Sequence, residues 1–293
     1  PDPTIVNGQE TLNAEVRAKH GQISINGSAT VGDAVDPSVT MKGTLDGTYV
    51  SDGWTGNQGA NSVFSDNGTN HSYDLQSLDI TYPIISGIGA QEYTDPNGTV
   101  WTDQQTYYDN EAMVVPVSQI TSSTSAFAYA DLNGNSISYV PATATTPATL
   151  SVKGIVKVKG DLEIKVKGGL KYNGRGTLYA TQDIYVGSNL LPSAGLSFPK
   201  DSAIGLVAGR NMNLATGAGD AQISMAGAFY AMGTITSAKQ NQILGTFVAN
   251  YFDMGKNVPN IYQVPSLRQN LPPGMPGDQL YLTLNVKSWR ERK

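Results

Sequence analysis

Gly154-Ile-Val-Lys-Val158 is the first copy of a short glycine-led phrase that decides the fold of this chain. The phrase returns at steps of 22, 29, 22 and 18 residues, as Gly176-Thr-Leu-Tyr-Ala180, Gly205-Leu-Val-Ala208, Gly227-Ala-Phe-Tyr-Ala231 and Gly245-Thr-Phe-Val-Ala249. Repeats of this length are typical of stacked folds in which each unit contacts only its neighbours.

Aligning the phrases produces two apolar columns and a mixed column between them. The apolar columns contain Val156, Leu178, Leu206, Phe229 and Phe247, and then Val158, Ala180, Ala208, Ala231 and Ala249. The mixed column contains Lys157, Tyr179, Val207, Tyr230 and Val248. This alternation has the two-residue period of a strand with one buried face. Coils stacked about 4.8 Å apart would join those faces into one interior, so the sequence predicts an all-β fold, a right-handed β-solenoid or β-helix.

A second strand is predicted to follow the first in each coil. Its inward side chains would be Leu162, Ile184, Met212 and Ile235.

The composition suits such a fold and excludes several kinds of site. The 293 residues include 32 glycines, and only 15% are charged, as in a turn-rich β protein. There is no cysteine, which excludes disulfides, thiolate metal sites and a cysteine nucleophile. No stretch approaches the roughly 20 apolar residues of a membrane span, so no membrane contact and no signal peptide are predicted for this fragment.

The chain divides into four predicted segments. Residues 1–50 would hold an N-terminal segment with a helical turn at 9–20 and two early coils, aligned on Gly21 and Gly43. Residues 51–149 break the rhythm and are predicted to form a large loop-and-hairpin insertion from the solenoid wall. The main stack would cover 150–255. Residues 256–293 would form a proline-rich strap followed by a terminal strand at Gln279–Trp289.

The charge is unevenly distributed along the chain and suggests an anionic partner. The net charge is −5, yet residues 151–176 carry seven Lys or Arg and two acidic residues. We predict that these cations lie on the outer wall beside tyrosines from neighbouring coils and bind DNA, since phosphate contacts and base stacking together are used by single-strand binders. The predicted DNA-binding residues are Lys153, Lys157, Lys159, Lys165, Lys167, Lys171, Arg175, Tyr179, Tyr185 and Tyr230. The alternative is that these lysines only solvate a β wall and protect its edges.

Asp161 and Asp183 occupy the same offset in successive coils, with Asn211 next. Stacked carboxylates repel unless a cation separates them. A Ca²⁺ site or an acid–base pair is therefore one interpretation, and simple ion pairing with Lys159 and Lys165 is the other. The first would suit a β-helix enzyme that degrades acidic polysaccharides.

No catalytic or metal-ligating residue is predicted. His20 and His71 are not in a metal-ligand spacing, and the sequence has no nucleophile-elbow motif. Trp54, Trp101 and Tyr107-Tyr108 would form either the insertion's own small core or a carbohydrate- or surface-binding tip.

Three of the glycine-led phrases carry a resemblance to a known family, those that begin at Gly176, Gly227 and Gly245. Together with segments near the C-terminus, they resemble the PilX-type minor pilins, and among them the large competence pilins that carry an inserted β-solenoid. The C-terminal segments that carry the resemblance are Tyr262-Gln-Val-Pro265-Ser-Leu267, Leu271-Pro-Pro-Gly-Met275 and Val286-Lys-Ser-Trp289. The resemblance covers about residues 150–293, and the apolar N-terminal helix of a pilin is missing from the sequence.

The resemblance implies a non-catalytic, extracellular pilus-tip domain at the cell surface. Its partners would be other pilin subunits and the DNA captured for natural transformation. An adhesin or structural fibre subunit is the first alternative, and the polysaccharide-degrading enzyme is the second.

Overall fold

The regular secondary structure of the described residues is almost entirely β-strand, which confirms the predicted all-β class. The computed structural model describes the backbone of residues 13–17, 23–25, 42–46 and 49–51, and residues 82–253, 257 and 259–277 in full. Within these ranges there is a single α-helix, α1 (Gln104–Glu111).

The strands before the main stack are β1 (Asn13–Arg17), β2 (Ile23–Ile25), β3 (Lys42–Asp46), β4 (Tyr49–Ser51), β5 (Tyr93–Thr94), β6 (Val100–Trp101), β7 (Met113–Val115), β8 (Gln119–Thr121), β9 (Phe127–Ala130) and β10 (Ser136–Val140). Those that follow are β11 (Ala148–Val158), β12 (Leu162–Lys165), β13 (Leu170–Asn173), β14 (Arg175–Ala180), β15 (Ile184–Val186), β16 (Leu190–Pro192), β17 (Ala203–Ala208), β18 (Met212–Leu214), β19 (Ser224–Ser237), β20 (Gln242–Asp253) and β21 (Asn260–Gln263).

Successive coils of the chain contribute strands, or parts of long strands, to three parallel ladders. A strand therefore pairs with the strand at the same position in the next coil. The first ladder is β7, the end of β11, β14, β17, β19 and β20. The second is β8, β12, β15, β18 and the ends of β19 and β20. The third runs from the start of β11 through β13 and β16 to the starts of β19 and β20 and to β21, and β10 and β9 extend it as an antiparallel hairpin.

The pairing register confirms the predicted columns. Val156 is opposite Leu178, Leu178 is opposite Leu206, and Phe229 is opposite both Leu206 and Phe247. In the second ladder Leu162, Ile184, Met212 and Ile235 are aligned in the same way. These side chains form one continuous buried cluster inside the coils, and the partly buried Phe247 packs against it. The pairing of strands does not fix the direction of winding, so the right-handed winding stays a prediction.

The stack is longer than predicted on its N-terminal side. β7 pairs in parallel with β11, and β8 with β12, so residues 113–121 already form part of a coil. These residues lie inside the predicted insertion 51–149. Their coil has no glycine-led phrase, which is why the repeat did not reveal it.

Two predictions for the first 50 residues are wrong. Residues 13–17 of the predicted helical turn 9–20 are strand β1, which pairs in parallel with β3. Gly43 is opposite Ala14 and not opposite Gly21, while β2 pairs with β4. The strands β1 and β3 pair in parallel, and so do β2 and β4, but their register differs from the one predicted from the glycines.

A second apolar cluster covers the outer side of the first ladder. Its strand residues include Ile155, Tyr179, Val207 and Tyr230, which alternate with the interior columns. The covering residues come from the segment before β7 and from the strap, and they include Ile85, Tyr107, Tyr108, Val264, Leu267 and Met275. The first ladder is therefore buried on both sides, and the mixed column belongs to a core.

Helix α1 lies within this covering layer and was not predicted. The Asp103 side chain caps it by accepting hydrogen bonds from the Thr106 N–H and hydroxyl, each at 2.7 Å. Its buried residues Gln104, Tyr107 and Tyr108 have the spacing of one helix face, but Gln104 is polar and the helix has only eight residues, so the sequence shows no apolar stripe.

The strap is fixed to the first ladder by side chains that reach its carbonyl groups. Thr177 donates to the Pro273 carbonyl at 2.6 Å, and Arg175 donates to Leu271 at 3.0 Å. Tyr108 and Gln104 both donate to the Gly274 carbonyl. Gly205 leaves room for the strap, since a Cβ there would collide with the Met275 sulfur. The strap contains β21 and a 3₁₀ turn at Pro265–Gln269. The predicted terminal strand at Gln279–Trp289 lies outside the described residues.

We expect Leu178→Ala to destabilise the protein by about 2–5 kcal/mol, because Leu178 is fully buried between Val156 and Leu206 and the change leaves a cavity. Leu132→Ala is the matched control. Leu132 is fully exposed at a turn tip, so its truncation should change stability by about 0.5 kcal/mol or less. Urea denaturation measures both changes, and equal effects would contradict the coil interior described above.

Tyr179→Phe should make stability less sensitive to alkaline pH. Burial raises the pKa of the Tyr179 phenol to about 12, whereas in the unfolded chain it is about 10. Between these values the unfolded chain loses this proton and the folded protein keeps it, so wild-type stability falls as pH rises. The variant should be less stable than wild type at pH 8, because the hydrogen bond to Gln105 is lost, and this gap should narrow toward pH 12. Urea denaturation at each pH measures the difference in stability between the two proteins. A difference that stays constant from pH 8 to pH 12 would show that the folded protein does not hold the Tyr179 phenol neutral.

Candidate functional site

The ten predicted DNA-binding residues do not lie on one wall. Three of them, Lys157, Tyr179 and Tyr230, are on the outer side of the first ladder, with exposed fractions of 8%, 1% and 0%. The prediction that they face solvent in rows is wrong. The alternation along the strand was correct, but the outward side is covered by α1, by the segment before β5 and by the strap.

These three residues attach the covering layer to the coils. Lys157 forms an ion pair with Asp109 of α1, and its ammonium group lies 5.9 Å from the centre of the Tyr179 ring. The Tyr179 ring stacks on Tyr108 with a centroid distance of 4.5 Å. The Tyr230 hydroxyl donates to the Pro83 carbonyl. Their chemistry therefore serves packing inside the protein.

Two other predicted cations are also occupied by internal contacts. Lys165 forms an ion pair with the nearly buried Asp220 at 2.5 Å, and the hydrogen bond and charge of Asp220 raise the pKa of the Lys165 ammonium. Arg175 donates to the carbonyl groups of Pro199 at 2.8 Å and Lys200 at 3.1 Å, in addition to its bond with the strap. Neither side chain is a free phosphate ligand.

The Asp161–Asp183–Asn211 corner is satisfied by backbone groups. One oxygen of Asp161 accepts the Asp183 N–H at 3.0 Å, Asp183 accepts the Asn211 N–H at 2.9 Å, and Asn211 accepts the Thr234 N–H at 3.0 Å. Each oxygen thus caps the coil above it. The expected ion pairs of these aspartates with Lys159 and Lys165 are not those observed. Asp183 Oδ1 instead lies 3.7 Å from Nε of Arg210, and Lys165 is paired with Asp220. In the described ranges no group of three His, Cys, Asp or Glu residues could hold a metal ion.

Tyr185 is the one predicted tyrosine that reaches the surface, with 39% of its area exposed. It lies on the second ladder, and its hydroxyl donates to Asp183 at 3.3 Å. Burial and the negative charge of Asp183 raise the pKa of this phenol. A base stacked here would lie beside carboxylates, which does not suit a polyanion.

The aromatic residues of the insertion form a small core. Tyr107 and Tyr108 are buried, and Trp101 packs on Tyr107 with a centroid distance of 5.9 Å. The Trp101 indole N–H donates to Asp95 at 3.2 Å. These aromatics are internal and do not form a surface tip, but their core is not the insertion's own, because Tyr108 packs on Tyr179 of the first ladder. Trp54, His20 and His71 lie outside the described residues.

Four predicted cations remain exposed or half-exposed. They are Lys153, Lys159, Lys167 and Lys171, and across the described ranges none of them forms an ion pair with a carboxylate. Lys153 and Lys171 are outward positions of the third ladder. Lys159 follows the first ladder, at a different corner of the coil.

Lys167 lines the larger part, and Lys171 the smaller part, of a groove that we call the threonine groove. One wall is the loop Ala142–Ala148 and the other is the turn Lys167–Gly169, and the groove has a volume of about 370 Å³. A smaller pocket of about 50 Å³ continues it past Lys171 and Asn189 to Leu191. No acidic and no aromatic side chain lines either part.

The groove residues other than the lysines were missed in the sequence. Thr143, Thr145 and Thr146 belong to the predicted insertion 51–149 and were not predicted as site residues, and neither was Asn189. Their positions depend on which corners of successive coils are neighbours, since the loop before β11 lies beside the turn before β13 only when β11 and β13 pair. A threonine-rich segment ending where a coil begins was the only available signal.

One comparison with known structures supports a pilin-like fold. This chain is similar to the crystal structure of the competence-associated pilin ComZ from Thermus thermophilus, with a TM-score of 0.57 and 18% sequence identity. The match covers 89% of this chain and 58% of that chain. No protein-family model matches this sequence, and no curated protein matches it. Among the described residues no helix is long and apolar enough to cross a membrane. The chain thus shares a fold with a pilin, over somewhat more than half of that pilin's length.

Proposed function

We propose that this chain is the extracellular part of a pilus-associated subunit that acts by binding and not by catalysis. The similarity in fold to a competence-associated pilin over 89% of the chain is the observation that carries the proposal. The partners would be other pilus subunits, and the location would be the cell surface. The right-handed winding of the coils is part of the same proposal.

The distribution of buried polar groups fits a scaffold. The deeply placed carboxylates and phenols are engaged in caps, ion pairs and packing, as at Asp183, Asp220 and Tyr179. Enzyme sites more commonly hold titratable groups in a cleft with strongly shifted pKa values. The threonine groove contains lysines and hydroxyl groups but no acid or histidine.

Location is the direct test of this proposal. In cells that produce the chain, antibodies against it should label sheared pili, and deletion of its gene should lower pilus number or transformation frequency. Labelling confined to the cytoplasm, with both properties unchanged in the deletion strain, would contradict the proposed role.

DNA capture is the finer part of the proposal, and the exposed lysines would carry it. Lys153 and Lys171 project from the same side of the third ladder, because Lys171 is opposite Thr149 and Thr149 and Lys153 alternate outward along β11. Two uncompensated ammonium groups on one face can contact a phosphate backbone without help from the buried tyrosines.

The double change Lys153→Glu with Lys171→Glu should therefore abolish most DNA binding, measured by gel shift at several salt concentrations. In wild type the affinity should fall with salt, and the logarithmic slope should shrink by about one for each phosphate contact removed. Lys159→Glu is the control, since Lys159 is exposed like Lys153 but lies at another corner. If the control weakens binding as much as the double variant, the contact is general charge attraction and this face is not the site.

A structural fibre subunit or adhesin is the second candidate, and the exposed apolar tips favour it. Ile88 and Leu132 are completely exposed at tight turns. The first turn is closed by a hydrogen bond from Ala90 N–H to Gly87 carbonyl at 3.1 Å, and the second by one from Asp131 N–H to Asn135 carbonyl at 3.1 Å. Aliphatic side chains on turns held in this way are suited to insertion into apolar pockets of a neighbouring subunit. Ile88→Asp combined with Leu132→Asp places a charge on each apolar tip, and should then reduce assembly without changing DNA binding.

A further inference from the structure

The threonine groove is preformed by hydrogen bonds on both walls. On the loop side, the Thr143 hydroxyl bonds that of Thr146 at 2.7 Å and accepts the Thr146 N–H at 3.1 Å. On the opposite side, the Lys167 N–H donates to the Ser122 hydroxyl at 2.7 Å, and the Gly169 N–H donates to the Val166 carbonyl at 2.9 Å. A ligand would find both walls already in position and would pay little ordering entropy.

The turn between the lysines requires its two glycines. Gly168 and Gly169 have φ angles of +87° and +92°, which side chains with a Cβ rarely adopt. A Cβ at Gly169 would also lie 3.0 Å from Cβ of Asn189. The two glycines therefore leave this turn of the groove without side chains that would occupy the space of a ligand.

The charge of the groove is positive and unbalanced. Lys167 is exposed and Lys171 half-buried, and no acidic side chain lines the groove. Lys157 and Lys165, in contrast, are both paired with aspartates. Anionic oxygen atoms are the ligands that two free ammonium groups and several hydroxyl groups bind best.

The remaining lining residues favour a sugar over a nucleobase. The groove has no aromatic side chain on which a base could stack, although stacking supplies much of the affinity of single-strand binders. Pro147 and Leu191 offer small apolar surfaces beside the polar groups of Thr145 and Asn189. The Asn189 Oδ1 accepts the Ser224 N–H at 2.7 Å, so Asn189 offers its amide NH₂ group as a donor. Sugar rings present an apolar face and a hydroxyl rim that match this mixture. The groove is open at the surface, so a chain can lie along it.

We propose that the threonine groove binds an acidic polysaccharide, with the carboxylates of uronate units on Lys167 and Lys171 and the sugar hydroxyls on Thr145 and Asn189. No bond is made or broken in this proposal. It is independent of the proposed pilus role, since the groove would bind such a chain wherever the protein is displayed.

The test is calorimetric titration of the full chain with short oligogalacturonates, with a neutral glucose oligomer of similar length as the comparison. Wild type should bind the uronate oligomer and not the neutral one. Lys167→Gln combined with Lys171→Gln should weaken binding by about tenfold or more, because two charge-assisted hydrogen bonds are removed. Lys159→Gln is the matched control and should bind like wild type, and circular dichroism should show that all variants remain folded.

Thr145→Val separates a built site from simple charge attraction. The change keeps the size of the side chain and the charge of the groove, and it removes a hydroxyl group, so it should weaken uronate binding severalfold. No binding of the uronate oligomer, or equal loss in the Lys159→Gln control, would overturn the proposal. Single-stranded DNA that displaces the oligomer and loses affinity in the Lys167→Gln, Lys171→Gln variant, but not in Lys153→Glu, would also overturn it and would make the groove a nucleic-acid site.

Discussion

The first ladder is apolar on both of its sides, and the rest of the architecture follows from this constraint. Its inner side closes the coil interior through Val156, Leu178, Leu206 and Phe229. Its outer side carries Ile155, Tyr179, Val207 and Tyr230, which cannot remain in water at low cost. Parallel sheets are generally covered on both faces for this reason. Helix α1, the segment around Ile85 and the strap exist in their observed places because they cover that side.

Several polar groups of the covering layer keep hydrogen bonds when they are buried, although the Ser266 hydroxyl of the strap has none among the described residues. Tyr108, Thr177 and Arg175 reach the carbonyl groups of the strap, and the Tyr230 hydroxyl reaches the Pro83 carbonyl. An unsatisfied buried donor or acceptor costs about 1–3 kcal/mol, so these bonds fix where the strap and the segment can lie. The side-chain oxygens of Asp161, Asp183 and Asn211 do the same at a coil corner by capping the N–H groups of the next coil.

The same contacts decide which charges remain for a partner. Covering the first ladder removes Lys157 from the surface, and the loop that carries Asp220 occupies Lys165. Of the predicted cations, what remains is Lys159 after the first ladder and three lysines at the third ladder and its corners. Lys167 and Lys171 lie in a groove with threonine hydroxyls, whereas Lys153 lies further along the open face. The proposed DNA contact and the proposed polysaccharide site share Lys171 and differ in the second lysine, so they can be separated by substitution.

The sequence by itself determined the coil repeat, since the alternation of buried and outward residues and the recurring glycines are local properties of each strand. The alignment of Val156 with Leu178 and of Leu162 with Ile184 followed directly from it, and so did the all-β class. Tertiary structure alone decided what covers each side. A strand with Tyr179 outward has the same sequence pattern whether that side faces water or a helix, because the helix comes from about 70 residues earlier in the chain. The groove has the same origin, since its two walls are neighbours only through the pairing of β11 with β13.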